Sequence, residues 1–379
     1  MGVTLAELED DPHPILARLR ASEPVAWVPV LDGWLVTRYD LAVRVMRDPA
    51  TFTVDDPRFS TAKVIGRSML STDGAEHARH REPFAQPFRP AEVRDRFEAF
   101  VEAHTDRLIT AVEPAGSAEL RSTVAGPLAV AVLAEALGLA DVDAETVLSW
   151  YAAIVESVSE VTAGRPVGAA AARAFDSLRT SVERTIAARR APSILVDAVD
   201  RLHPSEVVSN AAVLMFGGID TTAGMITNAV RHVLGDPEAR TLARGDGITN
   251  VIEESLRLEP TAAVVDRYAT RDVELGGAAI RRGDLVVVSI AGANRDPAMF
   301  ADPDRFDAHR QNARLNLAFA QGPHFCLGAQ LARGETRIVL RRLLELPGLR
   351  LDPDHPNAPR GLVFRRPEQL YVRWHRKAT

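Results

Sequence analysis

A mainly helical fold with smaller β-sheets, of the α+β class, is what the sequence predicts. Four long segments carry apolar residues at three- and four-residue spacing, and alternating apolar runs lie at 24–40, 264–290 and 362–374. In order along the chain, PVAWVPVLDGWLVTRYD (24–40) reads as a hairpin turning at Asp32-Gly33 and leading into a helix near Asp40. Residues 91–113, 127–139, 143–162 and 168–190 read as helices. After Pro204, with Ser205 as the expected N-cap, a helix of about thirty residues runs to Gly235. Its middle is apolar on every side, which predicts burial. That same middle holds Gly217, Gly218, Asp220, Thr221 and Thr222. Each glycine costs about 1 kcal/mol against alanine there, and a buried carboxylate costs more unless partnered, so these residues need a compensating reason. Strands return in VVDRYATRDVELGGAAIRRGDLVVVSI (264–290), with turns at Gly276-Gly277 and Gly283-Asp284, and in LVFRRPEQLYVRW (362–374). A helix over 327–346 places Cys326 at its N-terminus, where backbone N–H groups favour an ionised thiol. With no repeat and no linker, one domain over 1–379 is expected.

Composition narrows the function. Hydrophobic residues at 46% and charged residues at 25% are ordinary for a globular chain. A net charge of −6 argues against binding a nucleic-acid backbone. The N-terminus is acidic and broken by prolines, unlike a signal peptide, and the most apolar stretch, AAVLMFGGI (211–219), is about half the length of a spanning helix. The single cysteine forbids an internal disulfide and fits a reducing cytoplasm. Only Lys63 and Lys377 are lysines among 45 basic residues, a bias that points to a GC-rich bacterial genome.

Phe319, Gly322, His324, Cys326 and Gly328 stand in the order F-x-x-G-x-H-x-C-x-G. Taken alone, a lone cysteine is more often a buried structural thiol; together, these five positions resemble the haem-binding loop of the cytochromes P450. The resemblance implies haem b with the Cys326 thiolate as axial ligand, glycines that let backbone approach the porphyrin, and a shielding Phe319. Ala320, where the family mostly has glycine or serine, is expected to be tolerated if its backbone angles are ordinary. GGIDTT (217–222) resembles the family's oxygen-activating segment. Protons must enter a pocket that otherwise excludes water, so the resemblance casts Thr221 as the hydrogen-bonding alcohol and Asp220 as the proton relay.

The same resemblance extends along most of the chain. Glu254 and Arg257 in ESLR, joined by Arg305 of PDRF, correspond to the family's structural triad, although surface pairs at this spacing are common and weak. His77 and Arg81 of EHARHR, Arg267 of VVDRYAT, and His324 are the expected propionate partners, while His80 reads as a surface residue. If Thr221 faces the iron, then Val213, Phe216 and Gly217 share its helical face. Ala262, Ala263, Val264 and Val265, the turn at Val363 and Phe364, and Val64, Ile65 and Met69 complete an apolar substrate pocket. Asn210 reads equally as a pocket donor or as a polar contact in the core.

A single cysteine holds no iron-sulfur cluster, so electrons come from outside. A ferredoxin or flavodoxin with an NAD(P)H-dependent reductase is expected to dock near Arg333, Arg337, Arg341 and Arg342. The resulting expectation is a cytoplasmic, monomeric haem-thiolate monooxygenase that uses O2 to hydroxylate or epoxidise a small hydrophobic molecule. Coupling, desaturation or peroxide-driven oxidation on the same fold, a non-catalytic haem-thiolate sensor and a metal-free thiol hydrolase are the competing readings.

Overall fold

Alternation along residues 25–36 and 264–289 builds the sheets, and helical periodicity builds nearly everything else. The computed structural model describes residues 2–139, 142–162, 165–188 and 193–376. The chain divides into two compact units, one of Met1–Thr53, Glu102–Gly126 and Thr221–Thr379, the other of Val54–Val101 and Pro127–Asp220.

The first unit holds the strands β1 (Val25–Val28), β2 (Gly33–Val36), β3 (Phe52–Thr53), β4 (Ser117–Glu119), β5 (Val264–Ala269), β6 (Val273–Leu275), β7 (Ala278–Ile280), β8 (Leu285–Ser289), β9 (Arg350–Leu351) and β10 (Tyr371–Arg373). They form a five-stranded sheet in the order β1-β2-β8-β5-β3, a three-stranded β4-β10-β9 sheet and the β6-β7 hairpin. Strand β2 runs parallel to β8, with Leu35 opposite Val287, and β5 runs antiparallel to β8, with Arg267 opposite Val286. Val286 and Val288 pack with Val36, Met46 and Phe52, whereas Val287 packs with Leu8, Leu16 and Leu35. Both faces of β8 are therefore buried, which explains its unbroken apolar run.

The turn at Gly276-Gly277 forms as expected, with φ of 58° and 87°. At the N-terminal hairpin the connection is longer than expected: Pro29–Leu31 form a helical turn and Asp32 takes φ 47°, so Gly33 is already the first residue of β2. The predicted 362–374 strand is reduced to β10 and two isolated bridges, one joining Ala262 to Phe364. Pro367, which has no N–H to give a ladder, interrupts it.

The second unit is helical. Gly126–Leu137, Ala144–Thr162 and Ala169–Ala188 match the helices predicted at 127–139, 143–162 and 168–190, as Pro90–Val112 matches 91–113, and Ser60–Ile65 and Gly74–Ala85 are further helices that the long periodic segments do not include; residues 189 and 190 of the predicted 168–190 helix lie outside the described residues. The long helix spans Pro204–Gly235, 32 residues. Ser205 is not its cap. The helix opens at Pro204, which suits the first position because its missing N–H is an orphan there anyway. The Glu206 carboxylate accepts the His203 N–H at 2.9 Å.

Candidate active site

The cysteine loop belongs to the first unit and is held by its own backbone. The Cys326 N–H donates to the Phe319 carbonyl at 2.9 Å, closing residues 319–326 into a loop ahead of the helix Ala329–Leu343. Gly322 has φ 74°, and a Cβ there would lie 2.5 Å from the Met46 carbonyl oxygen, so only glycine fits. Ala320 has φ 58°, so the condition of ordinary angles is not met. The methyl stands in the left-handed region at about 1–2 kcal/mol, a strain the loop tolerates because its closure fixes the backbone.

Cys326 is exposed, and a Cβ on Gly328 would meet no atom within 4 Å. The chain itself therefore does not demand glycine at 328 but leaves room there for a flat group against the loop. The donor set agrees with such a group. An exposed sulfur near a helix N-terminus suits an electropositive metal, and buried Arg267 and half-buried His324 suit carboxylates. The residues of this unit thus fit haem.

Glu254 and Arg257 are fully buried, so the surface-pair alternative fails. Arg257 donates to both Glu254 oxygens at 2.7 and 2.8 Å and to the carbonyls of Asn294, Pro303 and Arg305. The third partner is Arg310, not Arg305. Arg310 Nε donates to both Glu254 oxygens at 3.0 Å, while the Arg305 side chain is exposed and contributes only its carbonyl. Asp302 at φ 43° and two successive turns carry the chain past Arg305 and bring in Arg310, five residues on.

In the second unit, the helix Gly74–Ala85 carries His77, 5% exposed, and half-buried Arg81, one turn apart on one face. His80 on the other face is not a surface residue but 1% exposed. Its Nδ1 accepts from Asn210 Nδ2 at 2.9 Å, leaving Nε2 to carry the proton toward Glu76 and Glu206, 3.3 and 3.6 Å away. Arg79 supplies the positive charge those two carboxylates need. First Arg79, then the His203 N–H, hold Glu206 down to about 2 despite its partial burial.

Asn210 is resolved in favour of the core. Its Oδ1 accepts the Met69 N–H at 2.8 Å, and its Nδ2 also donates to the Glu206 carbonyl at 2.8 Å. Both ends of the amide are thus consumed in pinning the segment before the His77 helix onto the long helix. Replacing Asn210 with alanine is expected to cost about 1–3 kcal/mol for each buried partner left unsatisfied, read as a lower urea midpoint. An unchanged midpoint would show that the amide's bonds are dispensable.

On the long helix Asp220 is 7% exposed and Thr221 half-buried, while Phe216 is half-buried and Gly217 exposed. A Cβ on Gly217 would meet no atom within 4 Å, so the glycine leaves open space on the helical face it shares with Thr221. Val213, also on that face, is 8% exposed. Met69 is 5% exposed and Val64 half-buried, but Ile65 is fully buried and is core of its unit rather than a pocket wall.

In the first unit Ala262 bridges Phe364 and the Ala263 N–H donates to the Val363 carbonyl at 2.9 Å, so these two predicted segments do meet. Four consecutive residues cannot line one cavity, however. Ala263 and Val264 pack into the cluster around Leu35, and Val265 packs into the cluster on the opposite face of the sheet.

Of the arginines on Ala329–Leu343, Arg333 is ion-paired to Glu253 and Arg342 to Asp106, Glu113 and Glu345, while Arg341 is exposed. The basic surface read from the sequence is accordingly smaller than the count of arginines. Arg310 and Glu253 are the functional neighbours that sequence reasoning missed. Glu253 differs from other surface-type glutamates only in preceding Glu254.

The family profile described as Cytochrome P450 matches residues 226–371. Over nearly the whole length the chain is similar to the cytochrome P450 monooxygenase PikC of Streptomyces venezuelae, 34% identical with 99% of this chain and 94% of the relative covered. It is similar also to the mycinamicin IV hydroxylase/epoxidase of Micromonospora griseorubida, 34% identical with 94% of each covered. Among solved structures, CalO2 aligns with a TM-score of 0.87 at 29% identity over 97% of both chains. HmtN, a post-tailoring hydroxylase of himastatin biosynthesis, aligns at 0.85 and 29% identity over 98% of this chain and 100% of that one.

Proposed function

Because this chain belongs to the cytochrome P450 family, a haem-thiolate monooxygenase family, we propose that Asp220 and Thr221 serve oxygen activation on a small hydrophobic substrate. The observation that carries this reading is the exposed Cys326 in its backbone-closed loop. Haem held through that thiolate would supply the oxygen-activating chemistry, with two electrons from outside. Arg267, His324, His77 and Arg81 would hold its propionates, and Phe319 and Gly328 would lie against it.

The protein's own part in the reaction is to manage protons and exclude water. Two protons must reach the reacting oxygen for each turnover. Thr221 presents a hydroxyl from the half-buried face beside Gly217, where Oγ1 can donate one hydrogen bond while accepting another. Asp220, nearly buried beside it, can take a proton from solvent and pass it inward. Apolar Val213, Phe216 and Met69 orient a hydrophobic substrate with few polar contacts. Among the described residues no helix is long and apolar enough to cross a membrane.

Hydroxylation or epoxidation is the reaction best supported, since a relative of 34% identity is named for both. Electrons would come from a ferredoxin or flavodoxin with an NAD(P)H-dependent reductase, docking beside exposed Arg341. We read the protein as one catalytic domain, acting as a cytoplasmic monomer. A reduced carbon-monoxide difference spectrum tests the ligand: the long-wavelength band of thiolate ligation is expected, and a histidine-type band would overturn it. Thr221→Ala should keep NAD(P)H consumption within about threefold while diverting most electrons to peroxide, product per NAD(P)H falling about tenfold or more. Unchanged coupling would remove Thr221 from its role.

A further inference from the structure

Phe319 is not held by apolar packing alone. The guanidinium carbon of Arg333 lies 4.4 Å from the centre of its ring, a cation stacked on the aromatic face. That guanidinium is fixed in turn. Arg333 Nε and Nη2 donate to the two oxygens of Glu253 at 2.6 and 3.2 Å, and Nη1 reaches the Ala329 carbonyl at 3.3 Å. Glu253 is 3% exposed and receives a further bond from Asn316 Nδ2 at 2.9 Å. Asn316 Oδ1 accepts the Ala318 N–H at 3.1 Å, next to Phe319. The Phe319 carbonyl takes the Cys326 N–H. One chain of contacts thus runs from a buried carboxylate, through a cation and a ring, to the backbone of the cysteine.

We propose that Arg333, oriented by Glu253 and laid on Phe319, is a positioning residue that sets how strongly the Cys326 thiolate donates to its metal. This deepens the haem-thiolate reading and rests on it. A guanidinium with a quarter of its side chain exposed, paired to a carboxylate that is almost wholly buried, is poorly screened by salt. Its positive charge stabilises the state with more negative charge on the iron and sulfur. Reduction of ferric to ferrous haem by one external electron, with no bond or proton changing at sulfur, is therefore favoured by Arg333 and opposed by Glu253.

The test is a dithionite redox titration of haem-loaded protein, read optically, with the carbon-monoxide spectrum alongside. Arg333→Gln, which removes the cation, should shift the ferrous-to-ferric ratio about tenfold toward ferric, about 59 mV for a one-electron couple. Glu253→Gln, which leaves the cation unneutralised, should shift it the opposite way. Arg333→Lys keeps the charge without the planar stack and should lie between Arg333→Gln and the unaltered protein. Opposite signs for the two glutamine variants support the proposal, because a merely structural loss would move both alike. Equal potentials in folded variants that keep the thiolate band, or shifts of the same sign, overturn it. If the unaltered protein itself lacks the thiolate band, the haem-thiolate reading fails first.

Discussion

Replacing Arg310 with methionine is expected to destabilise the protein by about 3–5 kcal/mol, the cost of leaving a buried carboxylate short of a partner. Glu254 is fully buried and is balanced by two guanidinium groups and the Asp307 N–H, so losing Arg310 strips it of two bonds at 3.0 Å. The carbonyls of Ala301, Asp302 and Arg305 lose a donor as well. Arg305→Met is the control and should stay within about 0.5 kcal/mol, as exposed substitutions do. Denaturant midpoints of the two variants decide the matter. Equal losses would mean that the exposed arginine carries a role its position does not explain.

A loss of stability with rising pH, from below 5 to above 8, is the second large effect, and it comes from Glu335. This carboxyl on Ala329–Leu343 is 3% exposed, and its Oε2 has no hydrogen-bond partner among the described residues. Burial alone raises its pKa to about 8. The unfolded chain gives up the same proton near the ordinary value of about 4.3. Between the two values the folded state holds one more proton than the unfolded state, so stability falls as pH rises. The contribution is fully present below the unfolded pKa and gone above the folded one. The slope is about 1.4 kcal/mol per pH unit, and the total is on the order of 5 kcal/mol. Glu335→Gln, neutral at every pH, should flatten that slope. A variant whose denaturation midpoint falls with pH as steeply as before would show that Glu335 is already ionised in the folded state.

The two effects share a feature that local sequence does not display. Glu254 and Glu335 both sit on amphipathic helices in glutamate-containing runs of ordinary appearance, yet one is paired with two arginines and the other is buried with its Oε2 unpartnered among the described residues. Spacing could say that Glu254 and Arg257 face the same way. It could not say that the second arginine comes from 310, because two turns beyond a left-handed Asp302 decide which side chain of the 303–310 segment points inward. His80 reads as a surface residue, although it is buried, for a related reason. A helical period distinguishes faces but does not say how many of them are covered, and both the His77 face and the His80 face are buried.

Elsewhere the sequence spoke directly. Helix and strand periods follow from geometry that each segment carries within itself, so the long helix and the β5–β8 region could be placed by number without a neighbour in view, and the Cys326 loop was legible through the resemblance of its motif. Asn210 marks where that reach ends. Its two readings were chemically equal until the Met69 N–H and His80 Nδ1 were found at the two ends of its amide. The sequence by itself determined the class of fold and the order of its elements, because these rest on local periodicity, and it marked Cys326 because the residues around it carry a motif that resembles a known family's. Only tertiary structure decided which charges are matched and by whom, including Arg310 to Glu254 and Arg333 to Glu253. Such pairings join residues tens of positions apart, and their strength comes from exclusion of water, a property no single segment possesses.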